Sequence, residues 1–133
     1  MAILLSGCSG EVERVHIQSV GDYETTFQHD GSPVDFWTDF DVEYSTQPTA
    51  TYKIMIFQNG DSVGEVVCDP FDVGTQLMER EAEVRGTVKE SYLGLMHCET
   101  DLPEGELTLA VNFDVEGRMT VFRADLVLKI RED

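Results

Sequence analysis

One stretch of the chain alternates so regularly that it limits the folds open to the whole sequence. In VDFWTDFDVEY, from Val34 to Tyr44, one set of alternate positions is largely apolar: Val34, Phe36, Thr38, Phe40, Val42 and Tyr44. The other set is Asp35, Trp37, Asp39, Asp41 and Glu43. Side chains alternate between the two faces of a β-strand, so this segment predicts a long strand with one face on a core and the other in water.

Two further segments have the same period and contain a turn signal. ATYKIMIFQNGDSVGEVVCDP places Asn59-Gly60 between two apolar runs, and this dipeptide favours the type I′ turn of a tight hairpin. ELTLAVNFDVEGRMTVFRADLVLKI repeats the arrangement around Glu116-Gly117. Both segments predict antiparallel hairpins.

Additional strands are predicted at Val12–Val20, Tyr23–Phe27, Glu81–Val88 and Tyr92–Cys98. The one segment that could form a helix is GTQLMEREAE, from Gly74 to Glu83, although it has no clear apolar stripe. Many short strands separated by regular turns are typical of an all-β antiparallel sandwich or barrel. We predict an Ig-like β-sandwich of about seven to nine strands, formed by residues 11–133 as a single domain.

The charge of the chain restricts its partners. There are 9 Lys and Arg residues against 26 Asp and Glu residues, a formal net charge of −17. Nucleic acids and anionic membrane surfaces are bound through basic patches, so we expect neither as a partner. The acidity is compatible with a solvated exterior, with adaptation to high salt, or with mimicry of DNA in a basic cleft.

The start of the chain, AILLSGCSG, contains Leu5-Ser6-Gly7-Cys8, which resembles the lipobox of bacterial and archaeal lipoproteins. The resemblance implies cleavage before Cys8, lipidation of that residue, and residues 1–10 as the remnant of a signal and tether. Only seven residues precede Cys8, and none of them is basic, so this interpretation requires a start upstream of Met1. The alternative is that the apolar residues Ala2–Leu5 belong to a first strand.

The other two cysteines, Cys68 and Cys98, each end a predicted strand before an acidic loop. We predict a disulfide between them, which would stabilise the fold by restricting the unfolded chain and would indicate an oxidising compartment. The alternative is a pair of buried free thiols.

No arrangement of residues predicts catalysis, so we expect the protein not to be an enzyme. GxSxG, HExxH, CxxC and GxxxxGK motifs are absent, and His16, His29 and His97 lie in unrelated segments. We expect no cofactor. The weak candidates for Ca²⁺ ligands are Asp69 with Asp72, and Asp30 with Asp35, because carboxylates in loops can coordinate this ion.

Trp37 lies on the polar face of its strand, between Asp35 and Asp39. An aromatic ring beside carboxylates can stack on a sugar while the acids accept bonds from its hydroxyls. This predicts a carbohydrate site, unless a loop or second layer covers the ring, which we consider the stronger interpretation.

The segments FQHDGSPVDFWTDFDVEY, YKIMIFQNGDSV and LPEGELTLAVNFD resemble, in their order, the strands of bacterial Ig-like sandwich modules. They are also similar in layout to the polysaccharide-recognition domain of O-antigen exporters. The resemblance covers residues 27–114 and implies a sandwich fold, and it assigns no ligand-binding residue.

These observations favour an exported lipoprotein anchored at Cys8, periplasmic or on the cell surface, that binds or scaffolds protein partners in an envelope assembly. Its membrane contact would be through the lipid alone. An exposed edge strand could add to a partner's sheet. The alternatives are a non-anchored structural subunit of a virion or extracellular filament, and a carbohydrate-binding module that uses Trp37.

Overall fold

A computed structural model describes residues 10–131, and this part of the chain forms nine β-strands without a helix. In chain order the strands are β1 (Glu11–Val15), β2 (Gly21–His29), β3 (Val34–Tyr44), β4 (Thr49–Gln58), β5 (Asp61–Cys68), β6 (Val73–Val84), β7 (Thr87–Met96), β8 (Gly105–Glu116) and β9 (Thr120–Ile130).

The strands form two antiparallel sheets. Five strands follow the order β1-β9-β3-β7-β6, and four follow the order β2-β8-β4-β5. The predicted all-β sandwich is therefore confirmed. The neighbours β3-β7-β6 and β8-β4-β5 match the B-E-D and F-C-C′ neighbours of immunoglobulin domains, whereas β9 lies beside β3 instead of beside β8.

The core lies between the inner faces of the two sheets. The alternation in β3 has the predicted sense, because Val34, Phe36, Phe40 and Val42 are buried. Ile54, Ile56, Leu107, Leu109 and Phe113 face them from the four-stranded sheet. Burial of such side chains is the main favourable contribution to folding.

Tyr52 connects the two sheets through its hydroxyl, which is fully buried. The hydroxyl donates to the carbonyl oxygen of Ala124 at 2.8 Å and accepts from the Thr38 hydroxyl at 2.7 Å. Burial raises the pKa of Tyr52 far above its ordinary value, so the phenol stays neutral and can donate. Tyr52 is on β4 and its partners are on β3 and β9, so these bonds fix how the sheets face each other.

The structure differs from the sequence at one possible helix and at the boundaries of two predicted strands. Gly74–Glu83 is part of strand β6 and not a helix. The predicted strand Glu81–Val88 is interrupted by a turn at Arg85-Gly86, where both residues have positive φ. The predicted strand Val12–Val20 ends at Val15, because the chain then crosses from one sheet to the other with Ile17 buried between them.

Candidate functional site

β6 differs from the other strands in how little of it is buried. It forms one edge of the five-stranded sheet, and every residue after Val73 is exposed. Over the described residues, its substantial contacts are with β7 alone. The four-stranded sheet thus does not extend beneath β6, and the strand projects beyond the sandwich with one backbone edge and both faces in solvent.

The backbone of β6 has an irregular first part and a regular last part. Its register with β7 shifts between Val73 and Gln76 and again between Leu77 and Arg80, and Met78 has a φ of 55°. From Arg80 to Val84 the pairing with β7 is regular and continues to the turn. Bulges prevent a further strand from pairing along the first part, so the regular part is the stretch open to one.

The turn determines which backbone groups of β6 are free. Arg85 and Gly86, with φ values of 55° and 82°, have the conformation of a two-residue hairpin turn. In such a hairpin the flanking pair, here Val84 and Thr87, exchanges both backbone hydrogen bonds, and the next pair exchanges none. The N–H and C=O groups of Glu81 and Glu83 therefore point away from β7, toward the open edge.

The core-side face of this part of the hairpin is acidic. Glu81 is directly opposite Glu90, and Glu83 is opposite Val88. Burial raises the pKa of Glu90, the hydrogen bond from Tyr44 opposes that shift, and the charges of Glu81 and Glu79 raise it further. In residues 10–131, no Lys or Arg forms an ion pair with any of these carboxylates.

Tyr44 contacts this acidic face from β3. Its hydroxyl donates to Glu90 Oε1 at 2.9 Å. Burial and the neighbouring carboxylates of Glu90 and Glu81 raise the pKa of Tyr44 to about 12. The phenol is thus a stable donor at neutral pH. Its bond to Oε1 is the one hydrogen bond that the Glu90 side chain receives in the described part of the chain.

The opposite face of the same hairpin segment is mixed and partly apolar. Ala82 pairs with Lys89, and Val84, which is 65% exposed, pairs with Thr87. Farther along β6, Leu77 is 42% exposed and pairs with Leu93. The edge of β6 thus separates an acidic face from a face that combines the basic residues Arg80 and Lys89 with small or apolar side chains.

The predicted sugar-binding residues lie together on the outer face of the five-stranded sheet, but each has a protein partner. The Nζ atom of Lys129 is 4.6 Å from the centre of the Trp37 ring. Asp35 pairs with Arg131 at 3.0 Å, and Asp39 with Arg14 at 2.9 Å. A sugar stacked on this face of Trp37 would have to displace Lys129.

Next to Trp37 is an ionic cluster around one buried carboxylate, and the sequence did not predict it. Asp125 on β9 is almost fully buried, and its carboxylate accepts from Arg14 Nη1 at 2.9 Å, His16 Nδ1 at 3.1 Å and the Ile17 N–H at 2.9 Å. The cluster attaches β1 and the crossover after it to the sheet, so its role is structural. No local pattern indicates it, because Asp125 occupies an ordinary outward position in an alternating strand.

The Ca²⁺ candidates do not converge. Asp69 accepts from the N–H of Phe71 at 2.8 Å, whereas Asp72 accepts from His97 Nδ1 at 2.9 Å. Asp30 accepts from the N–H of Ser32, and Asp35 is paired with Arg131. Among the residues that the structure describes, no group of three His, Cys, Asp or Glu side chains could hold a metal ion.

The predicted disulfide is confirmed. Cys68 and Cys98 are bonded with a Cα–Cα distance of 5.4 Å, which joins the end of β5 to the segment after β7 and so links the two sheets. Cys8, the predicted lipidation site, lies outside the described residues.

An open groove of about 840 Å³ lies at one end of the sandwich. It is formed by the turn between β3 and β4, the turn between β8 and β9, and Thr87 at the start of β7. Its lining includes Glu43, Glu116, Arg118 and Met119. The sequence predicted the turn at Glu116-Gly117 but could not show that it meets the turn between β3 and β4.

The described strands and loops include no helix that is long and apolar enough to cross a membrane. Comparison of the chain with protein-family models, with curated proteins and with solved structures finds no match.

Proposed function

We propose that this protein is a non-catalytic binding module of a cell-envelope or surface assembly, exported and anchored through Cys8. In this proposal its partner is a protein that supplies an extended segment, and the segment adds to the five-stranded sheet as a strand beside β6. Binding by strand addition uses backbone hydrogen bonds for affinity and alternate side chains for specificity.

The observation that supports this proposal is the regular, exposed edge from Arg80 to Val84. No strand within residues 10–131 pairs with its outward backbone groups, and both of its faces are in solvent. An incoming strand could therefore pair with the backbone without displacing a side chain of the core.

Export is supported by the bond between Cys68 and Cys98, since disulfides persist mainly in oxidising compartments. The lipid anchor can be tested separately. Expression of the gene with its upstream DNA in the presence of labelled palmitate should label the wild type, and Cys8→Ser should lose the label. An unlabelled wild type would refute the anchor and favour the non-anchored structural subunit.

Strand addition is tested with a phage-displayed library of random linear peptides selected on the folded protein. Glu83→Pro removes an N–H that points to the open edge, without removing a bond to β7. We expect the selected peptides to bind the wild type and to lose at least tenfold in affinity for Glu83→Pro. Glu83→Gln is the matched control, because it removes the same charge and keeps the N–H.

A measurement on the wild type alone complements the variants. The amides of Glu81 and Glu83 should exchange rapidly with solvent in the free protein and become protected when a selected peptide binds. Peptides that bind Glu83→Pro as tightly as the wild type, or that protect amides elsewhere, would refute strand addition. Binding that maps to Trp37 or to the end groove would favour a different site.

A further inference from the structure

The chemistry of the β6 edge identifies the partner segment more closely, an inference that rests on the proposed function. We infer that the segment is a strand with Lys or Arg at alternate positions and small apolar residues between them. It would pair with Arg80–Val84 so that its basic side chains lie beside Glu81 and Glu83.

The backbone geometry of β6 decides which of its residues would be directly opposite the partner strand. The backbone groups of Glu81 and Glu83 point toward the open edge, so an added strand pairs with these residues. Side chains directly opposite each other in adjacent strands share a face and lie close together. Two alternate residues of the partner would therefore be beside the carboxylates of Glu81 and Glu83.

The charge of the β6 edge favours basic residues in the partner at the positions opposite Glu81 and Glu83. Glu81, Glu83 and Glu90 lack a Lys or Arg partner within residues 10–131, and repulsion from Glu81 and Glu79 is already felt by Glu90. A neutral or acidic strand would leave these charges uncompensated and would remove water from them. Lys or Arg at both positions would compensate them, since opposite charges in cross-strand pairs are stabilising.

The other face of β6 favours small apolar residues at the intervening positions of the partner. Residues between the basic ones would lie on the other face, beside Ala82 and Val84. These side chains are small or apolar and exposed, so contact with a small apolar residue removes apolar surface from water. Arg80 and Lys89 are on the same face, so a basic residue of the partner would be repelled there. The edge thus favours an alternating pattern and not a block of basic residues.

A second copy of the chain is a poorer occupant of this edge. Pairing two β6 strands would bring the Glu81 and Glu83 carboxylates of both copies together. Each copy also has a net charge of −17, so the copies repel at low salt. The same charge attracts a basic segment.

The test uses two synthetic peptides of identical composition, one that alternates Lys with Val and one that places all Lys before all Val. Affinity is measured by fluorescence anisotropy at moderate salt. We expect the alternating peptide to bind about tenfold more tightly, since two correctly placed cross-strand pairs account for a difference of this size. It should also protect the amides of Glu81 and Glu83.

The variant Glu81→Lys/Glu83→Lys should lose roughly tenfold in affinity for the alternating peptide. The control is Glu24→Lys/Glu106→Lys, which makes the same change in net charge at exposed positions of the four-stranded sheet, far from β6. We expect the control to lose less than threefold. Amide protection in the wild type keeps the test valid if a variant folds poorly.

Equal affinity for the two peptides, or equal losses in the two variants, would show attraction by net charge alone and overturn the inference. Library peptides that require the β6 edge but lack alternate basic residues would also overturn it, while leaving strand addition intact. Self-association that Glu83→Pro abolishes would assign the edge to a second copy.

Discussion

Individual side chains in this protein are placed by partners far away in the sequence. Asp125 is an example, because its carboxylate is buried on the outer face of a sheet, where alternation predicts exposure. It remains there because Arg14, His16 and the Ile17 N–H all donate to it. A buried charge is tolerated when it is paired and hydrogen-bonded in this way.

Replacing Asp125 should destabilise the protein strongly. In Asp125→Ala the buried N–H of Ile17 loses its acceptor and Arg14 loses one of its carboxylates, so we expect a loss of about 3 kcal/mol in the free energy of unfolding. The measurement is urea denaturation at neutral pH. Asp114→Ala, at an exposed position, is the control and should change stability by less than about 0.5 kcal/mol. Equal effects would show that the cluster contributes nothing specific.

At the scale of secondary structure, β6 has two features that hinder pairing with an unwanted strand, and its last part still has a backbone edge open to a partner strand. The bulges around Met78 disrupt the first half of the edge, and carboxylates line the second half. Natural proteins commonly protect edge strands by both means. Charge, unlike a bulge, excludes some strands and attracts others, so the second half can be selective.

The acidic face has a measurable cost. Because burial and the nearby carboxylates raise the pKa of Glu90 in the folded state, ionisation of Glu90 is easier after unfolding. The folded state is therefore penalised above that raised pKa, and the penalty disappears as the pH falls below the ordinary Glu value of about 4.3. Glu90→Gln keeps an acceptor for the Tyr44 hydroxyl and removes the charge.

We therefore expect Glu90→Gln to be more stable than the wild type at pH 7, by about 0.5 kcal/mol. The gain should decrease toward zero below about pH 4, as Glu90 becomes protonated in both states of the wild type. Thermal unfolding over a pH series measures this. Glu65→Gln, at an exposed position of β5, is the control, and a gain for Glu90→Gln that does not depend on pH would contradict the electrostatic explanation.

For the molecule as a whole, the disulfide and the net charge affect stability in opposite directions. The bond between Cys68 and Cys98 closes a loop across 30 residues and links the sheets. A charge of −17 causes self-repulsion that favours expansion of the chain.

Reduction should reveal the contribution of the disulfide. On the chain-entropy account, a loop of this size is worth about 3–4 kcal/mol. We expect reductant to lower the unfolding midpoint of the wild type in urea and to leave that of Cys68→Ala/Cys98→Ala unchanged. An unchanged midpoint for the wild type, with mass spectrometry showing free thiols, would contradict the prediction.

Added salt should raise the melting temperature. Salt screens repulsion between the surface carboxylates, with a Debye length that falls from about 30 Å at 0.01 M to 3 Å at 1 M. We expect most of the gain below about 0.3 M NaCl, where screening changes most. A gain that appears only at molar salt, and is larger for sulfate than for chloride, would indicate exclusion of the salt from the protein surface instead.

Much of the fold could be predicted because its signals are local. The alternation in β3, the Asn59-Gly60 turn and the paired strands around Glu116-Gly117 each depend on residues that are neighbours in the chain. β6 was harder to predict because it has no buried face, and so its apolar residues show no period. Its better signals were the alternate residues Glu79, Glu81 and Glu83 and the Arg85-Gly86 turn.

The sequence by itself determined that this protein would be an antiparallel β-sandwich, and it indicated which two cysteines would pair. The sandwich follows from side-chain period and turn chemistry, which act over a few residues, and the pairing follows from the position of Cys68 and Cys98 at the ends of predicted strands. Only the tertiary structure decided that β9 lies beside β3, that Asp125 is buried, and that β6 projects past the sandwich with a free acidic edge. These features depend on strand order, and strand order is set by contacts between residues that are distant in the chain.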